Sequence, residues 1–70
     1  MTIEDAKVVN EGRYKGIVEP AEGYGPQDGI YTVEIYARGD GIVFSHTDGM
    51  NIQDGIDMIV NEIKHLQENE

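Results

Sequence analysis

The sequence contains neither cysteine nor tryptophan. Without thiols the chain can form no disulfide and no thiolate metal site, and cysteine nucleophiles are excluded for the same reason. Its core must therefore be held together by packing alone. A chain of 70 residues is expected to form one small domain, residues 1–70, that buries only about 60% of its unfolded surface. We expect a small stability margin.

Long apolar runs are also missing. No segment approaches the roughly 20 apolar residues of a membrane-spanning helix. The first ten residues, MTIEDAKVVN, lack the basic region and following apolar run of a signal peptide. We therefore expect a soluble, cytoplasmic protein that does not associate with membranes.

Basic residues are few. Five lysines and arginines stand against fourteen aspartates and glutamates, which gives a net charge of −9. A surface of this kind repels phosphate backbones, so we expect no direct binding to nucleic acid. Two interpretations of the acidity remain: it keeps the protein soluble, or it provides a surface that binds a basic protein partner.

The residue patterns of catalytic and metal sites are absent as well. Ser45 is the only serine, and its neighbour His46 would point to the opposite face of a strand. Neither histidine lies in an H-E-x-x-H motif. Asp48, Asn51 and Asp54 are three residues apart, whereas a calcium loop needs ligands two apart. We expect a protein that is not an enzyme and that binds no metal and no cofactor.

The strongest structural pattern is the apolar spacing within residues 51–66. Apolar residues recur there at steps of four, three, four and three: Ile52, Ile56, Ile59, Ile63 and Leu66, with Val60 at the flank. This spacing predicts an amphipathic helix, with Asn51 as its N-cap and Asp54 at the third position. Met58 is expected on its outer face. Gly55, near the edge of the apolar stripe, indicates either a close approach to the sheet or a shallow notch for a partner.

Alternating polarity predicts a strand over residues 30–38. Four of its side chains should lie under the helix: Tyr31, Val33, Ile35 and Ala37. The glycine-rich turn of residues 38–41 leads to a return strand over residues 42–47, with Ile42 and Phe44 facing the core. Another strand is predicted over residues 13–19, ending at Pro20, which cannot donate a ladder hydrogen bond.

Two segments are less defined by the sequence. Residues 2–10 are compatible with a short helix beginning at Thr2 or with a strand beginning at Lys7. Residues 20–29, PAEGYGPQDG, carry three glycines and two prolines, which predicts a loop with no regular element. Tyr24, in the middle of this loop, either folds back onto the core or stands out as a contact residue.

The order of these elements predicts an α+β fold, in which one face of a three-stranded antiparallel sheet is covered by a single C-terminal helix (βββα). A short N-terminal helix is left open. The other sheet face would be uncovered and would carry Thr32, Glu34, Tyr36, Val43 and Ser45. An uncovered face and two free edges favour a homodimer, with Tyr36 and Val43 near its interface.

Three resemblances accompany this reading. Gly25-Pro26, the strand of residues 31–35 and the following helix resemble the second half of a double-stranded-RNA-binding domain, which implies a similar topology. RNA binding is not implied, because Asn51, Gln53 and Asp54 stand where that family has lysines. The turn of residues 45–48 before a helix is similar to HicB-type antitoxin domains, which implies neutralisation of a small basic ribonuclease. In size, acidity and lack of catalytic groups the chain resembles phage-encoded anti-CRISPR proteins.

Together these observations predict a non-enzymatic inhibitor that occupies a basic, nucleic-acid-binding surface of a partner protein. An antitoxin-like or regulatory homodimeric domain is the alternative. The acidic and aromatic residues expected on exposed segments form the predicted contact surface: Glu22, Tyr24, Asp28, Glu34, Tyr36, Asp54, Asp57 and Glu62.

Overall fold

The computed structural model describes residues 6–70, and the helix start predicted at Thr2 lies outside this range. Its elements are, in chain order, β1 (Lys7–Glu11), β2 (Tyr14–Pro20), β3 (Ile30–Ala37), β4 (Gly41–Gly49) and α1 (Ile52–Glu68). All neighbouring strands pair antiparallel in the order β1-β2-β3-β4. The α+β class and the C-terminal helix are confirmed. The predicted number of strands is wrong, because the sheet has four.

The additional strand is β1, which pairs with β2 from Lys7 opposite Val18 to Glu11 opposite Tyr14. A two-residue loop joins the two strands, and Gly12 adopts φ 59 there, a conformation that glycine accepts without strain. Of the two readings for the N-terminal segment, the strand beginning at Lys7 is therefore correct within the described range. Pairing with β2 stabilises a segment whose own apolar content is small.

The core lies between α1 and the sheet, where the helix contacts β1, β2 and β3. The alternation predicted for β3 is confirmed, since all four of its core-facing residues are buried. Among residues 6–70, the buried cluster consists of Tyr14, Val18, Tyr31, Val33, Ile35, Ala37, Ile59 and Ile63. One helix position was mispredicted: Met58 is half-buried and packs against this cluster. Val60, expected at the flank of the stripe, is 50% exposed.

Two glycines bring the helix unusually close to the sheet. A Cβ atom on Gly55 would lie 2.3 Å from Val18 Cγ2, and one on Gly16 would lie 2.2 Å from Ile59 Cγ2. Real Cβ atoms do not approach other atoms so closely, so both positions require the absence of a side chain. Gly55 thus marks close packing and forms no exposed notch.

The strand β4 contains a bulge that changes the face of one predicted core residue. Ile35 pairs with Phe44, but Tyr36 pairs with Ile42, so Val43 is the extra residue. Paired residues project to the same side of a sheet. Ile42 therefore shares the face of Tyr36 and is 52% exposed, and its predicted place in the core is wrong. Phe44 remains on the core side, where it packs against the buried cluster.

Both ends of the helix are held by side chains. Asn51 Oδ1 accepts a 2.8 Å hydrogen bond from the Asp54 amide, and Asp54 Oδ2 accepts one of 3.5 Å from the Asn51 amide, which confirms the predicted cap. At the other end, the Tyr14 hydroxyl donates a 2.6 Å hydrogen bond to Glu70 Oε2. No helix among residues 6–70 has both the length and the apolar content needed to span a membrane.

Candidate partner-binding surface

The loop between β2 and β3 is ordered by its own hydrogen bonds. The Ala21 amide donates to the Ile30 carbonyl over 3.0 Å at the base of the loop. A single 3-10 turn, Pro26–Asp28, interrupts the segment that was predicted to hold no regular element. Within it the Gly25 amide donates to Asp28 Oδ2 over 2.8 Å. This short bond and the φ imposed by proline explain why a glycine-rich loop keeps a defined shape here.

Tyr24 stands out from this loop. Its side chain is 53% exposed, and its amide donates a 2.9 Å hydrogen bond to the Ala21 carbonyl. Of the two positions considered from the sequence, the structure shows the exposed one, and the ring does not fold back onto the core. An exposed tyrosine on an anchored backbone presents a rigid apolar ring and a polar hydroxyl together.

The start of the helix lies beside the same loop. The Met50 amide donates to the Gly29 carbonyl over 2.9 Å, which joins the segment before α1 to the end of the loop. The loop, the last residues of β4 and the first helical turn consequently share one end of the molecule. We call this the acidic end, and its exposed carboxylates are those of Glu22, Asp28, Asp48 and Asp54, with Asp57 one helical turn away.

Local hydrogen bonds orient several of these carboxylates. Asp28 caps the 3-10 turn, as described above, and Asp48 Oδ1 accepts a 2.8 Å bond from the Gly49 amide. Asp57 Oδ1 accepts a 3.1 Å bond from Gln53 Nε2. Each carboxylate offers two oxygens and about four acceptor positions, so every one of them keeps capacity for an external donor. The acidic end therefore presents negative charge in a partly fixed arrangement.

The other three predicted contact residues lie elsewhere. Glu34 and Tyr36 are on the sheet face opposite the helix, where the Tyr36 hydroxyl donates to Glu34 Oε1 over 3.4 Å. The negative charge of Glu34, together with burial, raises the pKa of Tyr36. Glu62 is half-buried in the third turn of α1, away from the acidic end. The structure thus brings together Glu22, Tyr24, Asp28, Asp54 and Asp57, and separates the rest.

Sequence reasoning missed two features of the charge distribution. Asp48 belongs to the acidic end, because β4 runs to Gly49 and ends beside the loop. Three of the five basic residues collect at the opposite end of the sheet: Arg13, Lys15 and Arg38. The two-residue spacing of Arg13 and Lys15 was the available signal. It was incomplete without the pairing of β2 with β3, which brings Arg38 beside Arg13 through a 3.0 Å backbone hydrogen bond.

Among residues 6–70 there is no cluster of metal ligands, and Ser45 is not paired with His46. Within residues 6–70, no three His, Asp or Glu side chains are grouped to hold an ion. Ser45 pairs with Glu34 and His46 pairs with Val33, so these neighbours point to opposite sheet faces. Comparison with known proteins finds no matching protein family, curated protein or solved structure.

Proposed function

We propose that this protein is a non-enzymatic inhibitor of the anti-CRISPR or anti-defence type, whose acidic end occupies a basic, nucleic-acid-binding surface of a partner protein. The observation that carries the proposal is the collection of exposed carboxylates on three neighbouring segments of a compact scaffold. A groove built for phosphates binds negative charge, and exposed carboxylates on a folded surface supply it.

Pre-organisation strengthens this argument. Asp28, Asp48 and Asp57 are each held by a local hydrogen bond, so less side-chain freedom is lost when they meet lysines or arginines. The exposed ring of Tyr24 lies on the same loop as Glu22 and Asp28. Buried aromatic anchors commonly dominate the energy of an interface, whereas rim charges mainly accelerate association. We assign these two roles to Tyr24 and to the carboxylates, respectively.

The test measures binding to purified candidate targets, namely CRISPR effector complexes and small basic ribonucleases, by biolayer interferometry. Association should slow markedly as salt rises from about 50 to about 500 mM, because screening shortens the reach of surface charges. The variant Glu22→Lys with Asp57→Lys should associate at least about tenfold more slowly at low salt. Asp54→Lys is a poorer choice, because Asp54 also caps the helix.

A matched control separates location from total charge. Glu11→Lys with Glu68→Lys changes the net charge by the same amount, at exposed positions far from the acidic end. This control should retain most of the association rate. Equal effects of both variants, or binding that is independent of salt, would leave solubility as the role of the acidity. Tight binding of duplex RNA by the protein itself would favour the double-stranded-RNA-binding resemblance.

A second candidate function is an antitoxin-like or regulatory homodimeric domain. One observation favours it: the sheet face opposite α1 is uncovered in the described chain, and Ile42 and Tyr36 lie on it. A homodimer would cover these side chains.

A further inference from the structure

The uncovered sheet face, which we call the open face, has a defined order of charge along β2. Lys15 pairs with Tyr36, Ile17 pairs with Glu34, and Glu19 pairs with Thr32. Alternate residues of a strand share one face, so Lys15, Ile17 and Glu19 all project away from the helix. Moving along the strand, the face changes from basic through apolar to acidic.

The basic part of the open face is a shallow depression lined by Arg13, Lys15, Tyr36 and Arg38. Arg13 Nη2 donates to the Arg38 carbonyl over 2.9 Å and also forms an ion pair with Asp40. Lys15 and Arg38 form no side-chain ion pair or hydrogen bond within residues 6–70. Among the described residues these two positive charges therefore have no partner, in a chain whose net charge is −9.

The acidic part is a second depression, at the other end of the same face. Glu19, Pro20, Glu22, Thr32 and Glu34 line it. Glu19 and Glu22 likewise have no ion-pair partner among residues 6–70. Ile17, which is half-buried, lies between the two depressions, and the half-buried Tyr36 lines the inner side of the basic one.

We propose that the open face docks onto the same face of a second copy of this chain. The two copies are related by a two-fold axis that lies between the sheets, perpendicular to the strands. This axis places the basic depression of each copy on the acidic depression of the other, so the same contact occurs twice in the dimer. Ile17 and Tyr36 of both copies lie at the centre. Such an isologous contact is the commonest form of protein dimer.

Charge complementarity selects a second copy as the occupant. A basic partner would meet Arg13, Lys15 and Arg38, and a nucleic acid would meet Glu19, Glu22 and Glu34. Like charges placed across an interface are unfavourable and suppress the wrong partner. Two chains of net charge −9 also repel one another in most orientations, so the orientation that opposes the two depressions is favoured over the others.

The area of the face sets the expected affinity. Four strands about 4.8 Å apart, each with about seven residues that rise about 3.3 Å, cover roughly 450 Å² in projection. Stable complexes bury about 800 Å² per partner. The dimer should therefore be reversible, with dissociation at high micromolar concentration, and should weaken as salt screens its charge pairs.

The test is sedimentation velocity of the full chain from about 10 μM to about 1 mM, at low and at high salt. One variant carries Lys15→Glu with Arg38→Glu, and the other carries Glu19→Lys with Glu34→Lys. Each variant alone should dimerise at least about tenfold more weakly than the natural chain, since like charges then face one another. An equimolar mixture of the two should dimerise again, because both contacts become complementary. Circular dichroism should show that both variants are folded.

Three outcomes would overturn this inference: a natural chain that is monomeric at every concentration, a dimer indifferent to both charge changes, or a mixture that fails to associate. The inference does not rest on the proposed inhibitor function. A monomeric chain that binds a basic target in a salt-dependent manner would refute the dimer, and with it the homodimeric second candidate, but not the inhibitor. A dimer that behaves as described but binds no basic target would refute the inhibitor alone.

Discussion

Replacing Gly55 by alanine sets two physical effects against each other. In the interior of a helix, alanine is favoured over glycine by about 1 kcal/mol. From the sequence alone, Gly55→Ala would therefore be expected to stabilise the protein. In the folded structure, the added Cβ would lie 2.3 Å from Val18 Cγ2 and 3.2 Å from Val33 Cγ1. Both valines are fully buried, so neither can turn outward into solvent.

Overpacking of this kind costs about 1–3 kcal/mol, and occasionally more. Because backbone atoms of the helix must move away from the sheet to relieve it, we expect the upper part of that range to apply. After subtraction of the helix-propensity gain, the free energy of unfolding should fall by about 1–2 kcal/mol. A domain of this size has only a few kcal/mol of stability, so the loss is readily measured.

The assay is urea denaturation followed by far-ultraviolet circular dichroism, in a double-mutant cycle with Val18→Ala. Removing the valine methyl groups should relieve the clash, so the double variant should be at least about 1 kcal/mol more stable than the two single losses predict by addition. Asn61→Ala, at an exposed helix position, serves as the control and should stabilise slightly. If Gly55→Ala stabilises as much as the control does, or if the cycle shows no coupling, the close approach of helix and sheet is refuted.

Two further predictions concern the helix stripe and the C-terminal contact. Ile59→Ala should lower the free energy of unfolding by about 2–5 kcal/mol in urea denaturation, because Ile59 is fully buried, whereas Val60→Ala, at a half-exposed position, should change it little. If the two effects were equal, the helical phase would be wrong. The hydrogen bond to Glu70, burial and the nearby carboxylate charge raise the pKa of Tyr14. Folding therefore favours the neutral form of the Tyr14 phenol. The resulting contribution to the free energy of unfolding is fully present below the unfolded pKa of about 10 and is lost as pH rises through the folded pKa. The difference in melting temperature between the natural chain and Tyr14→Phe should therefore shrink above about pH 10, and an unchanged difference would contradict the Tyr14–Glu70 contact.

The acidity of the chain could be read directly from composition, but its arrangement could not. Five of the eight predicted contact residues do lie at or beside one end, because the loop and the helix start are joined through Met50 and Gly29. The prediction of those residues rested on their expected exposure, which depends on local sequence. Which of these residues lie close together depends on which segments pair. The pairing brings Asp48 to the acidic end and places Glu34, Tyr36 and Glu62 elsewhere.

The elements predicted correctly are those encoded by short-range patterns. Each of these patterns involves residues only a few positions apart. They are the isoleucines at helical spacing, the N-cap followed by an acid at the third position, the strict alternation over β3 and the glycines at the tight turns. Such signals are local because backbone geometry repeats every two residues in a strand and every 3.6 in a helix. They determine the α+β class, the helix and the central strand from the sequence alone.

Only the tertiary structure decided the features that depend on partners distant in sequence. The strand β1 exists because β2 supplies its hydrogen bonds, and Ile42 leaves the core because an extra residue, Val43, enters the pairing with β3. Glycine is required at positions 16 and 55 because the helix and the sheet approach each other closely there. The opposed charges of the open face likewise come from strands brought side by side. Each of these depends on contacts between segments whose register no local pattern specifies.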